Sequence, residues 1–152
     1  MSMHTDHSRE GEDRDLLIVE ITGLVAQGQG RRFSTDDIHL WSELLAETDL
    51  VLAVEATKDL LRSSTSFISV GLINARVAEI AAARLRAVQE APEPPTGLTQ
   101  RAYTTWLETW QRAVMRGVPV AQANSAALRA VGVTEVRPAL VAPPVVILKP
   151  GD

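Results

Sequence analysis

Three prolines fall within four positions, in the stretch Ala91-Pro92-Glu93-Pro94-Pro95-Thr96-Gly97. Proline has no N–H to give a helix interior or a sheet ladder, and its ring blocks the preceding turn. No helix passes through such a stretch, and the residue before each proline is pushed towards extended backbone. The segment 92–97 is therefore predicted as a linker, and it divides the chain into residues 1–91 and 98–152.

Composition limits what each part can be. At 152 residues with 45% hydrophobic and 22% charged side chains, the chain is long enough for a packed core and too apolar for general disorder. The absence of cysteine excludes disulfides, thiolate metal sites and thiol nucleophiles. No apolar run reaches the ~20 residues of a membrane span, and the polar start from Met1 to Asp15 does not resemble a signal peptide. The net charge is −4, and it is unevenly placed. Residues 34–68 hold seven acids and two bases, whereas residues 92–152 hold four acids and six bases. An acidic middle followed by a mildly basic remainder argues against general phosphate binding, though not against a local basic face.

Helical periodicity accounts for most of the chain. Residues 1–12 are polar and predicted to be disordered. The first helix is expected from near Asp13, with Leu17, Ile21, Leu24 and Val25 inward and Gly28 and Gly30 ending it. Ser34 is a good N-cap, followed by Asp36 and Asp37 at the positive end of a second helix with Ile38, Trp41, Leu44 and Leu45 inward. Thr48 or Asp49 caps a third helix carrying Leu50, Val54, Thr57 and Leu61. A fourth runs from about Ser69 to Glu90, with Ile73, Val77, Ile80 and Leu85 inward. Beyond the linker, Thr99 caps a helix with Tyr103, Trp106, Leu107, Trp110 and Val114 on one face. Gly117 ends it, Pro119 opens the next and Gly132 closes that one. The expected fold class is all-α. A small helical bundle over 13–91 precedes the Pro-rich linker 92–97, a helical hairpin over 98–132 and an extended tail over 133–152. The tail includes Val145-Val146-Ile147-Leu148, which could pair as one short strand.

Signals for catalysis are weak. Gly28-Gln29-Gly30 lacks the Lys-Ser/Thr of a nucleotide loop and the third glycine of a dinucleotide turn. No Gly-x-Ser-x-Gly elbow occurs. His4, Asp6 and His7 lie in the polar terminus, His39 stands alone, and Asp36 with Asp37 is explained by capping. No catalytic, cofactor or metal residue is therefore assigned, and the chain is expected not to be an enzyme. The cluster of Tyr103, Trp106 and Trp110 is more informative. It is either the local core of the hairpin or an anchor for a protein partner, since Trp and Tyr are enriched at interface hot spots. Arg76, Arg84, Arg86, Arg101, Arg112, Arg116 and Arg129 are either solvated or available to phosphate, and Arg112 and Arg116 share a helix face.

One stretch carries a resemblance. A basic Arg31-Arg32 leads into Phe33-Ser34-Thr35-Asp36-Asp37-Ile38, followed by Trp41, Leu44, Leu45, an acidic helix, and Phe67-Ile68-Ser69 opening a long helix with Ile73 and Val77. Over residues 16–87 this resembles the N-terminal helical domain of replicative-helicase loaders and replisome organisers from phages of high-GC actinobacteria. It departs from that pattern at Val70 and Leu72, where the family has a proline and an acid. The resemblance implies a non-enzymatic, cytoplasmic adaptor in the bacterial host. Such an adaptor holds a hexameric DnaB-type replicative helicase with one part and an origin-binding protein with another. It needs little direct nucleic-acid contact, and several copies can surround a ring. The expected partner-binding residues are Tyr103, Trp106, Leu107 and Trp110 as anchors, with Arg112 and Arg116 as orienting charges.

Two other classes compete. A phage DNA-binding regulator would use the hairpin and its arginines, and its affinity would fall steeply with salt. A host-takeover or structural phage protein would be marked by the genes that neighbour it.

Overall fold

The computed structural model describes residues 3–64 and 66–133. Among them the fold is all-α, with helices α1 (Met3–Gln29), α2 (Thr35–Leu44), α3 (Leu50–Ser63), α4 (Val70–Ala87), α5 (Gln100–Met115) and α6 (Val120–Ala130). The tail expected over 133–152 lies outside the described residues, save Val133.

Local chemistry sets the helix ends. The Ser34 hydroxyl accepts from the Asp37 N–H at 3.1 Å while the Asp37 carboxylate accepts from the Ser34 N–H at 2.9 Å, a reciprocal capping box. Asp49 caps α3 through Val51 and Leu52, and Thr99 caps α5 through Ala102. Gly117 and Gly132 follow α5 and α6 at φ +87° and +78°, a region that side chains with a Cβ disfavour. The N–H groups of Gly117 and Val118 then reach back to the Val114 and Ala113 carbonyls, and those of Gly132 and Val133 to Arg129 and Leu128.

The Ser34 hydrogen bonds hold the Asp37 carboxyl below its ordinary value of 3.8, with Arg31 adding a smaller attraction. A carboxyl whose folded pKa is depressed stabilises the fold above its unfolded pKa, and that stabilisation is lost as the pH falls through the folded pKa. Asp37→Asn is therefore expected to flatten the acid limb of a urea-midpoint-against-pH curve below about pH 4. Ser34→Ala should cost about 1 kcal/mol at neutral pH in the same measurement.

The described residues form two compact units, divided between Ala83 and Arg84. The first has its own core of Ile18, Ile21, Val25, Trp41, Leu45, Leu50, Ala53, Val54, Ala56, Leu60, Ile68 and Ile73. α1 packs on both α2 and α3. Among the described residues, the buried polar side chains Thr22 and Thr57 turn inward without loss, because they donate to the Ile18 and Ala53 carbonyls of their own helices. The second unit contains the α5–α6 hairpin, around Trp106, Trp110, Val114, Ala123 and Ala127.

Four expectations are corrected. The boundary between units lies within α4, not at the prolines, because Leu85 and Val88 pack against the second core, as does Leu98. Residues 3–12, expected to be disordered, belong to α1. No proline interrupts them, Arg9 and Asp13 stand four apart as do Glu10 and Arg14, and Arg14 donates to the Ser42 and Leu45 carbonyls at the end of α2. Of the two glycines expected to end α1, Gly30 does so at φ +62°, whereas Gly28 lies within its last turn. Leu44, expected inward, is 53% exposed, because the buried side of α2 is centred on Trp41 and Leu45.

Candidate partner-binding surfaces

The hairpin residues singled out from sequence divide into two groups. Trp106 and Trp110 are 3% and 6% exposed, so they are core side chains of the second unit and not presented anchors. Their spacing of four on α5 places them on one side, facing the small Ala123 and Ala127 of α6. Small residues opposite indole rings let the two helices approach closely. The Trp110 indole N–H donates to the Asn124 side-chain carbonyl at 2.8 Å, which satisfies its one polar group. Leu107 is half-buried against the same cluster. Tyr103, Arg112 and Arg116 are exposed. The Tyr103 ring stacks at a tilt on Trp106, with centroids 5.9 Å apart, and so is presented from a rigid base.

The other arginines separate in the same way. Arg76 pairs with Asp59 and lies 3.5 Å from Glu79, so its charge is neutralised within the first unit. Arg84 donates to the Met115 carbonyl at 2.9 Å, supplying a cation at the C-terminus of α5. Neither is a spare phosphate contact.

In the first unit, residues that carry the sequence resemblance converge on Arg31. Its guanidinium lies 3.8 Å from the centroid of Phe67, 5.1 Å from that of Phe33 and 5.7 Å from that of Trp41. Phe33 and Trp41 meet edge to face at 5.0 Å. A flat, delocalised cation suits stacking of this kind. The same guanidinium donates to the Ile68 carbonyl at 2.6 Å. Gln29 completes the clamp: its amide N–H donates to the Ser66 carbonyl at 2.7 Å and its amide oxygen accepts from the Ile68 N–H at 3.0 Å. The α3–α4 connection is thereby tied to the end of α1, and Phe67 stands 67% exposed on its outer edge. The rim is a shallow depression lined by Gly28, Gln29, Arg31, Leu61, Ser64 and Phe67.

Comparison with protein-family models, with curated proteins and with solved structures finds no match.

Apolar side chains outside the cores complete the inventory. Leu16 and Val19 on α1 are 68% and 55% exposed, and Leu40 and Leu44 on α2 are 50% and 53% exposed. Sequence periodicity marked the apolar positions without showing which of them would be covered. The Arg31 cluster went unrecognised because Phe67 is thirty-six residues from Arg31 and only the folded chain brings them together.

Proposed function

We propose that this chain is a non-enzymatic replication adaptor that binds a hexameric DnaB-type replicative helicase and helps to load it. The observation that carries the adaptor reading is that both units leave large apolar side chains outside their own cores. Leu16, Val19, Leu40, Leu44 and Phe67 are exposed on the first, and Tyr103 and Val120 on the second. Single exposed leucines are ordinary, but surplus apolar surface on each of two units supports contact with other proteins. The resemblance over residues 16–87 supplies the partner: a phage helicase loader holds its helicase with one part and an origin-binding protein with another.

On this reading the helicase arm is the exposed side of the hairpin, with Tyr103 as anchor, Leu107 beside it, and Arg112 and Arg116 as orienting charges. Trp106 and Trp110 support that arm from within. The orienting charges act more on the rate of association than on its strength. The test is affinity capture of the purified host helicase on the immobilised full chain. Tyr103→Ser combined with Arg112→Glu is expected to reduce capture about tenfold with unchanged helicity. Equal capture by wild type and variant would remove the assignment of the arm.

A further inference from the structure

Helix α2 has an apolar stripe that its own core does not use. Trp41 and Leu45 are buried and Ile38 is half-buried, while Leu40 and Leu44 stand on the outer flank, half exposed. A spacing of four places these two leucines one above the other along the helix. Carboxylates frame them. Asp36 and Asp37 lie one turn before Leu40, Glu43 adjoins Leu44, and Glu47 lies three residues beyond it; all four are exposed. No lysine or arginine occurs between Arg32 and Lys58, a span that holds six acids. Arg14 of α1 donates to the Ser42 and Leu45 carbonyls at the end of α2, so among the described residues the four carboxylates outweigh the cation beside them.

We propose that the Leu40–Leu44 stripe of α2 is the docking surface for a basic amphipathic helix of a partner protein. The leucines take the apolar side of that helix, and the surrounding carboxylates take its lysines and arginines. This rests on the reading of the chain as a protein-binding adaptor, whichever protein is bound. Charge selects the occupant. A second copy of the chain would bring two acidic stripes face to face, and like charges oppose that contact. Anionic lipid headgroups and nucleic-acid phosphates are repelled for the same reason. A helix matches the surface because two side chains one turn apart are read by i, i+3, i+4 anchors.

The test uses the full chain and a fluorescent synthetic peptide of leucine and lysine, with the leucines at i, i+3, i+4 and i+7, followed by anisotropy. Binding is expected at about 50 mM salt and should weaken at about 0.5 M. Leu40→Asn with Leu44→Asn is expected to weaken it about tenfold through lost apolar contact. Glu43→Lys with Glu47→Lys should weaken it comparably and flatten its salt dependence. Circular dichroism checks that both variants, altered only at exposed positions, keep their helicity. Wild-type affinity in both variants would overturn the proposal. So would a wild-type dimer in sedimentation that the leucine variant dissociates, or binding of phosphatidylglycerol vesicles in place of the peptide. The peptide result also separates this proposal from the helicase reading. Peptide binding with the expected losses but no helicase capture leaves the stripe standing alone. Helicase capture undiminished in the leucine variant, with no loss of peptide binding, leaves the adaptor without the stripe.

Discussion

Trp110→Ala is expected to cost the second unit about 4 kcal/mol, the largest loss of any single substitution considered for this chain. Trp110 is 6% exposed and packs with Trp106, Val114, Ala123 and Ala127. Truncation removes most of an indole's contact area and leaves a cavity that two helices tethered by one tight turn cannot fully close. It also removes the donor to Asn124, whose side-chain carbonyl is half-buried and loses its 2.8 Å hydrogen bond. Trp110→Phe separates the two contributions. It keeps most of the packing and gives up the hydrogen bond, so a loss of about 1–2 kcal/mol is expected. Urea denaturation measures both, and amide exchange places the loss: α5 and α6 should lose protection while the amides around Ile21 and Val25 keep theirs. An anchor displayed to a partner would behave differently, with Trp110→Ala as stable as wild type and impaired only in binding.

Arg31→Ala is the second large effect, at about 3 kcal/mol. The guanidinium donates to the Ile68 carbonyl and lies over three aromatic rings. A hydrogen bond from a charged group contributes about 1.5–3 kcal/mol, and cation–π contacts of this kind about 0.5–2 kcal/mol, with partial overlap between them. Lysine keeps the charge but lacks the flat face, so Arg31→Lys is expected to recover less than half of the loss. The readout is the urea midpoint together with proteolysis of the α3–α4 connection. That connection should be cut faster in Arg31→Ala, because the Arg31 hydrogen bond to Ile68 is lost and the two from Gln29, with the buried Ile68 side chain, are left to hold residues 66–68 to the first unit. Unchanged cutting would show that the clamp lies elsewhere.

The contrast between these two residues shows what was legible in the sequence. Caps and stops depend on a few neighbouring residues, so the roles of Ser34, Thr99, Gly117 and Gly132 are legible from their immediate context, and Asp49 is one of two candidates with Thr48. The all-α class and the hairpin follow from periodicity for the same reason. Trp110 was legible as half of an alternative, core or anchor, because periodicity marks an apolar stripe without naming what covers it. The small Ala123 and Ala127 opposite it resolve that alternative towards core. Arg31 reads from sequence only as part of a basic pair, since Phe33 is the one aromatic neighbour beside it in the chain and Trp41 and Phe67 are brought to it by the fold. The unit boundary was drawn at the prolines because prolines end helices. Yet the boundary follows which core Leu85 and Val88 join, a question of packing that lies beyond local sequence. Leu44 and Leu45 both read as inward, but they are adjacent on the helix and only Leu45 reaches the core, which leaves Leu44 exposed.

The exposed stripe on α2 and the exposed edge of α5 share a logic. Each lies beside a well-packed core: Leu40 and Leu44 adjoin the buried Trp41 and Leu45, and Tyr103 rests on the buried Trp106. Side chains presented from a rigid base lose little further freedom on binding, which favours affinity.

Sedimentation velocity tests most directly the proposal that this chain is an adaptor for a replicative helicase. The 152-residue chain labelled with a fluorophore is mixed with an unlabelled hexameric DnaB-type helicase, in the absence of DNA. The account predicts that the labelled species moves to a boundary faster than that of the helicase alone, and that the shift diminishes with Tyr103→Ser and Arg112→Glu. A labelled boundary that stays at the position of the free chain, at helicase concentrations in the micromolar range, would contradict it.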